Sequence, residues 1–177
     1  MKTVPTVLLA GAAVAALVLT GCGRSDGTSV ATAATSAPTP AAHAAAAAPA
    51  EGRAIAITAN DTMKFDTTEI HARPGEALAV TLTNTGTVPK FSMGHNWVLL
   101  AAGTDLNAFT TAAAEAATTD YIPAAFNASV LARTKLLGPK ESDTARFVAP
   151  TKPGRYPFLC AFPGHMQVGM KGDLIVE

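Results

Sequence analysis

From residue 53 onward the chain is written in short stretches where apolar and polar positions alternate. Ile55 and Ile57 alternate with their neighbours across residues 53–58, and Leu78, Val80 and Leu82 do the same across 77–84. Residues 69–72, 144–148, 155–160 and 172–176 share the texture. Period-two patterning buries one face of an extended segment, so each stretch predicts a strand. The intervening pairs and triplets are turn formers: Asn60-Asp61, Pro74-Gly75, Asn84-Thr85-Gly86, Gly138-Pro139 and Pro153-Gly154. Many short strands at this spacing predict an all-β antiparallel sandwich or barrel. One stretch breaks the rhythm. Residues 104–117 read as a helix with Thr104 as N-cap, a surface flap inside a long connection that carries no His or Cys.

Before residue 53 the pattern is different. Lys2 precedes an apolar run from Val7 to Leu19 that ends in Leu19-Thr20-Gly21-Cys22. The layout predicts a secretory signal, too short for a comfortable membrane span. Leu-x-Gly-Cys resembles the bacterial lipobox, which makes 1–21 a lipoprotein signal peptide and Cys22 the lipidation site. Residues 22–52 are rich in Ala, Ser, Thr and Pro, with an unbroken alanine run at 44–48. Without large apolar side chains this segment predicts a mobile linker with a reach of about 30 Å, in which His43 is solvated and silent. The expected organisation is therefore signal, lipid-anchored linker and one folded domain over 53–177. The expected location is outside the cytoplasm, periplasmic or at the cell surface, anchored to a membrane.

Composition narrows the function. Of the 177 residues 49% are hydrophobic, but much of that is alanine before residue 53. Lys and Arg total 13, as do Asp and Glu, so no basic field points to nucleic acid. Two cysteines, Cys22 and Cys160, exclude a disulfide-stapled scaffold and a four-cysteine zinc module.

The chemistry concentrates near the C-terminus, where Cys160, His165 and Met170 appear as Cys-x4-His-x4-Met. They fall at the end of one predicted strand and in the turn leading to the last. Thiolate, imidazole and thioether together suit copper and suit magnesium or calcium poorly. A trigonal plane needs a second imidazole. His95, in Met93-Gly94-His95-Asn96-Trp97, and His71 are the two candidates, and His71 reads as an exposed strand residue. Met166 competes with Met170 for a weak axial place. Neighbours in an extended chain point to opposite sides, and Met170 abuts the last strand, which favours Met170. A thiol nucleophile with His165 as its base is the other chemistry these residues permit.

Residues 53–177 resemble the azurin- and auracyanin-type cupredoxins. The resemblance lies in 60–65, in Val88-Pro89-Lys90 through Leu99, in Thr134-Lys135-Leu136-Leu137-Gly138, and in Cys160 through Gly172. It implies an eight-stranded Greek-key sandwich carrying one type 1 copper ion. His95, Cys160 and His165 would lie in the plane, Met170 would be axial, and the Gly94 carbonyl would approach weakly from the opposite side. It also implies backbone N–H donors from Asn96 and Phe162 to the Cys160 sulfur, and an apolar electron-transfer surface of Met63, Met93, Phe162 and Pro163. Three departures stand out: a His-to-Met spacing one residue longer than azurin's, no counterpart of azurin's disulfide, and Asn84 where azurins often carry a buried histidine.

The implied function is electron transfer between redox partners such as c-type cytochromes or copper enzymes, by a monomer that meets them transiently. No catalysis is expected, since the ligand loop holds no Asp or Glu to serve as acid or base. A copper storage or delivery protein is the alternative.

Overall fold

The computed structural model describes residues 52–177; the expected signal peptide, Cys22 and the expected linker through residue 51 lie outside the described residues. Eight strands form two sheets. They are β1 (Arg53–Ala59), β2 (Glu69–Ala72), β3 (Ala77–Asn84), β4 (Val98–Leu100), β5 (Val130–Arg133), β6 (Ser142–Val148), β7 (Gly154–Leu159) and β8 (Lys171–Val176). One sheet runs β1-β3-β6 and the other β2-β8-β7-β4-β5. The pairings β1–β3 and β2–β8 are parallel, the rest antiparallel. The all-β sandwich expected from the alternation is the fold observed, but not as the purely antiparallel one expected, since β1–β3 and β2–β8 run parallel.

Alternation explains the core. In β3 the residues Leu78, Val80 and Leu82 are fully buried while their neighbours are half-exposed. They face Ile57, Phe147, Phe158 and Leu174 from the other strands. Each fully buried aliphatic or aromatic side chain contributes about 1.5–3 kcal/mol. Trp97 lies at the centre, with its ring centroid 5.9 Å from that of Phe147 and 5.4 Å from that of Phe158.

β4 is different: Val98, Leu99 and Leu100 are all buried. A continuous apolar strand needs cover on both faces. Leu99 joins the sandwich core, whereas Val98 and Leu100 join a second cluster with Leu159 and Phe109. That cover is the flap. Its helix is shorter than the sequence pattern predicts, Leu106–Ala113, and its N-cap is Asp105, not Thr104. Asp105 Oδ1 accepts from the N–H groups of Asn107 at 2.9 Å and Ala108 at 3.0 Å. Thr104 instead turns back to donate to the Ala101 carbonyl. Beyond the helix, residues 117–119 tighten into a 3-10 turn and Asp120 and Tyr121 take left-handed φ values of 56° and 62°.

The strands also define two poles. Arg53 pairs with Leu78 and Ala59 with Asn84, so β1 climbs about 20 Å from one pole to the other. Arg53, His71, Glu76 and Glu177 occupy the lower pole. Asn84 reaches the upper pole, where its side-chain amide donates to the Leu137 carbonyl beside His95.

Candidate metal centre

Two short pieces of chain build the upper pole. The first is the turn before β4. Pro89 opens a single helical turn, Lys90–Met93, and Gly94 follows in extended conformation. A Cβ at Gly94 would lie 2.6 Å from the Lys90 carbonyl oxygen and 2.9 Å from Leu136, so only glycine fits. His95 is then locked by a two-way backbone bridge with Leu137, at 3.1 and 2.7 Å. Trp97 N–H donates to Thr134 Oγ1 at 2.9 Å, completing a brace behind the imidazole. The Thr134–Gly138 stretch singled out in the sequence is that brace.

The second piece is the loop from Cys160 to Met170. Cys160 follows β7, and its N–H donates to the Met170 carbonyl at 3.0 Å, which closes the loop at its neck. Inside the neck, His165 donates to Phe162 and Met170 to His165. Gly164, at φ 85°, lets the chain reverse between Pro163 and His165. The loop is a series of turns, not extended chain, so alternation is not what separates the two methionines. Packing separates them. Met170 is fully buried in the same cluster as Cys160, whereas Met166 sits under the flap with Phe109, Ala113 and Ile122.

His95, Cys160 and His165 converge. One donor atom from each lies within 4.8 Å of the other two, and all three residues are buried. Cys160 Sγ stands 3.4 Å from His165 Nδ1 and 4.0 Å from the Gly94 carbonyl oxygen. The imidazole centroids are 5.0 Å apart. Among the described residues no other trio of His, Cys or carboxylate groups is gathered this way. His71 lies at the lower pole, paired with Glu177.

The electrostatics are those of a dry pocket. Burial pushes the Cys160 thiol up to about 12, opposed by hydrogen bonds from the backbone N–H groups of Asn96 and Phe162. Burial, with the neighbouring His95, lowers His165 to about 4. Burial also lowers His95; the Asn60 carbonyl faces its ring and opposes the shift without completing a hydrogen bond of normal geometry. Neither ring nitrogen of His95 has a hydrogen-bond partner. Two orphaned nitrogens on a fully buried ring would each cost about 1–3 kcal/mol. A coordinated ion removes that cost at one of them, and thiolate with two imidazoles is a donor set for copper.

The family model for copper binding proteins of the plastocyanin/azurin family matches residues 53–177. The chain belongs to the plastocyanin/azurin family. Azurin of Pseudomonas aeruginosa is 37% identical over 127 residues, covering 70% of this chain and 84% of the relative. Outer membrane protein H.8 of Neisseria gonorrhoeae is 40% identical over 114 residues, covering 63% of this chain and 61% of that protein. Reduced auracyanin of Roseiflexus castenholzii superposes with a TM-score of 0.63 at 36% identity, covering 70% of this chain and 96% of its own. Copper is therefore the cofactor, one ion held by His95, Cys160 and His165, and the chain is a copper-based electron-transfer protein in general terms.

Around this plastocyanin/azurin-type site the remaining expected residues fall as follows. Asn96 is buried; its Oδ1 accepts from the Ala161 N–H at 2.7 Å and its Nδ2 donates to the Asp120 carbonyl at 2.8 Å. Phe162 is half-buried against His165, at 4.6 Å between centroids. Met63 and Met93 are half-buried and Pro163 is exposed. Asn84, in place of a histidine, is buried and bonded to Gly86 and Leu137. Sequence reasoning missed two exposed apolar side chains flanking the ligands, Phe91 at 82% and Val168 at 48% exposure. Phe91 follows Pro89-Lys90 in a polar turn, the one signal that it would not be core. It also missed Thr110 and Gln167, whose 3.0 Å hydrogen bond ties the flap to the ligand loop, and Lys64, which donates to the Val168 carbonyl from the other side.

Proposed function

We propose that this chain is a monomeric one-electron carrier, tethered to a membrane outside the cytoplasm, that exchanges electrons with redox proteins such as c-type cytochromes or copper enzymes in brief encounters. The observation that carries this is the pocket of His95, Cys160 and His165, three buried donors within 4.8 Å, with exposed Pro163 and Gly164 immediately before His165 in the chain. Copper bound there supplies a Cu(I)/Cu(II) couple.

The protein's own contribution is to keep the donors still. His95 is fixed by the Leu137 bridge and Cys160 by the Met170 carbonyl, two braces from separate parts of the sandwich. Met170, buried in the same cluster as Cys160, and the Gly94 carbonyl, 4.0 Å from the Cys160 sulfur, would add weak donors to a bound copper. Backbone N–H groups of Asn96 and Phe162 hold charge on the sulfur. Asp61, the carboxylate that acts on His95 through space, is committed to Thr87 and Val88.

Docking at the upper pole fits the side chains there. Phe162 and Pro163 on the ligand loop, Met63 and Met93 beside it, and the exposed Phe91 and Val168 offer a small apolar surface suited to short-lived contacts. After residue 52 the chain carries 11 basic and 11 acidic side chains, so attraction by net charge is weak and salt should change the rate little. Arg53, the first residue of β1, lies at the lower pole, at the opposite end of the sandwich from the ligands.

Mixing the copper-loaded domain with a reduced c-type cytochrome tests the exchange. A fast transfer that Phe91→Ala slows and salt barely alters is expected; a copper that equilibrates with chelator instead of accepting an electron would favour storage or delivery. Cys22→Ser should move the protein from the membrane fraction to the soluble exported fraction.

A further inference from the structure

We infer that Tyr121, a flap residue with no ligand role, is a positioning residue for His165, acting through Phe162. The inference rests on the copper reading above and concerns how this chain presents one ligand. Its starting point is a pair of unusual backbone conformations. Asp120 and Tyr121 are consecutive non-glycine residues at φ 56° and 62°, a region that L-residues with a Cβ rarely enter and that tends to be kept where function requires it.

Both residues reach the ligand loop from that turn. The Asp120 carbonyl accepts from Asn96 Nδ2 at 2.8 Å, and Asn96 Oδ1 in turn accepts from the N–H of Ala161, the residue after Cys160. The Tyr121 ring meets the Phe162 ring edge-on, with centroids 5.0 Å apart and planes at 63°. Phe162 then lies against His165 at 4.6 Å and 33°. Tyr121 is itself anchored, its N–H donating to the Ala116 carbonyl at 2.9 Å. A relay of three rings thus runs from the flap to the imidazole whose Nδ1 stands 3.4 Å from the thiol sulfur.

The physical need is clear. An imidazole can turn about its Cβ–Cγ bond, and half a turn would carry Nδ1 away from Cys160. Its ring neighbours are His95, across the pocket, and Phe162. Phe162 is only half-buried and needs its own backing, which Tyr121 supplies. An edge-to-face ring pair supports roughly a two- to tenfold preference for one arrangement.

The test uses Tyr121→Leu, Tyr121→Met and Tyr121→Phe in the folded domain. In the metal-free protein, NMR of the His165 ring should show a second orientation in the Leu and Met variants, its population raised roughly two- to tenfold, and a single one in the Phe variant. After copper loading, the Leu and Met variants should show a displaced charge-transfer band and an altered reduction potential, with Tyr121→Phe matching the wild type. Met fills the volume if Leu impairs folding, and in the wild type itself cross-relaxation between the Tyr121 and Phe162 ring protons is expected. The inference is overturned if that cross-relaxation is missing, if Leu or Met variants keep one His165 orientation and only unfold more easily, or if Tyr121→Phe behaves like Tyr121→Leu. A wild type without any charge-transfer band would sink the copper reading, while the metal-free NMR would still decide the role of Tyr121.

Discussion

The sandwich core and the flap cluster share a wall, the five-stranded sheet, and divide the ligand loop between them. On the inner face Leu99 and Phe158 pack with Trp97, Cys160 and Met170; on the outer face Val98, Leu100 and Leu159 pack with Phe109, Ala113 and Met166. His95 and Cys160 take their positions from backbone pairing within the sandwich, while the loop between Cys160 and Met170 takes its shape from contact with the flap as well. The difference teaches that the sandwich fixes His95 and Cys160, while the loop that carries His165 is also tied to the flap.

Breaking the sandwich side should have the largest effect. Cys160→Ser removes the soft donor, and the intense visible band should vanish from the copper-loaded absorption spectrum. Leu82→Ala, deep in the same core, should cost about 2–5 kcal/mol of unfolding free energy in a denaturant titration.

pH acts on the same buried groups, with opposite signs at its two ends. His165 takes up a proton in the unfolded chain below its ordinary value of 6.5 but in the folded chain only below about 4. The metal-free protein should therefore lose up to about 3 kcal/mol as pH falls across that window. His95, also lowered, adds to the loss. The Cys160 thiol is raised from 9.0 to about 12, so unfolding is favoured as pH rises above 9. Denaturation of the metal-free domain from pH 4 to 11 should trace a plateau between about pH 6.5 and 9. A stability that increased toward acid would contradict the burial of the histidines.

The two methionines sharpen the comparison. Met166→Ala should lower stability by about 2–5 kcal/mol, with a smaller effect on the reduction potential than Met170→Gln. If Met170 is the weak donor proposed above, Met170→Gln should keep copper and lower the potential, because such a donor tunes the couple. The reverse outcome would exchange their roles. The smallest effect belongs to the tie between flap and loop: Gln167→Ala removes one partly exposed hydrogen bond and should cost about 1 kcal/mol or less in thermal unfolding.

The sandwich was legible because burial on one face imposes a period of two, and Leu78, Val80 and Leu82 display it plainly. The trio of His95, Cys160 and His165 was legible because Cys160 and His165 crowd one turn and a Gly-His pair stands upstream. The flap carries no His or Cys and reads from sequence as a chemically silent helix, so its ties to the ligand loop are not visible there. Nothing in the sequence marks Asp120 and Tyr121 as left-handed, because no glycine stands there. Contacts such as Thr110 with Gln167 join residues far apart in sequence through polar side chains that carry no periodic signal. The helix start was off by one because Thr104 and Asp105 are both competent caps, and the choice falls to the hydrogen bonds each can complete.

The most direct test of the central claim is a titration of the metal-free domain with Cu(II), followed by visible absorption and EPR. One equivalent bound with an intense sulfur-to-copper band and a narrow copper hyperfine splitting is the predicted result. A weakly coloured complex with the splitting of ordinary tetragonal Cu(II), unchanged in Cys160→Ser, would contradict it.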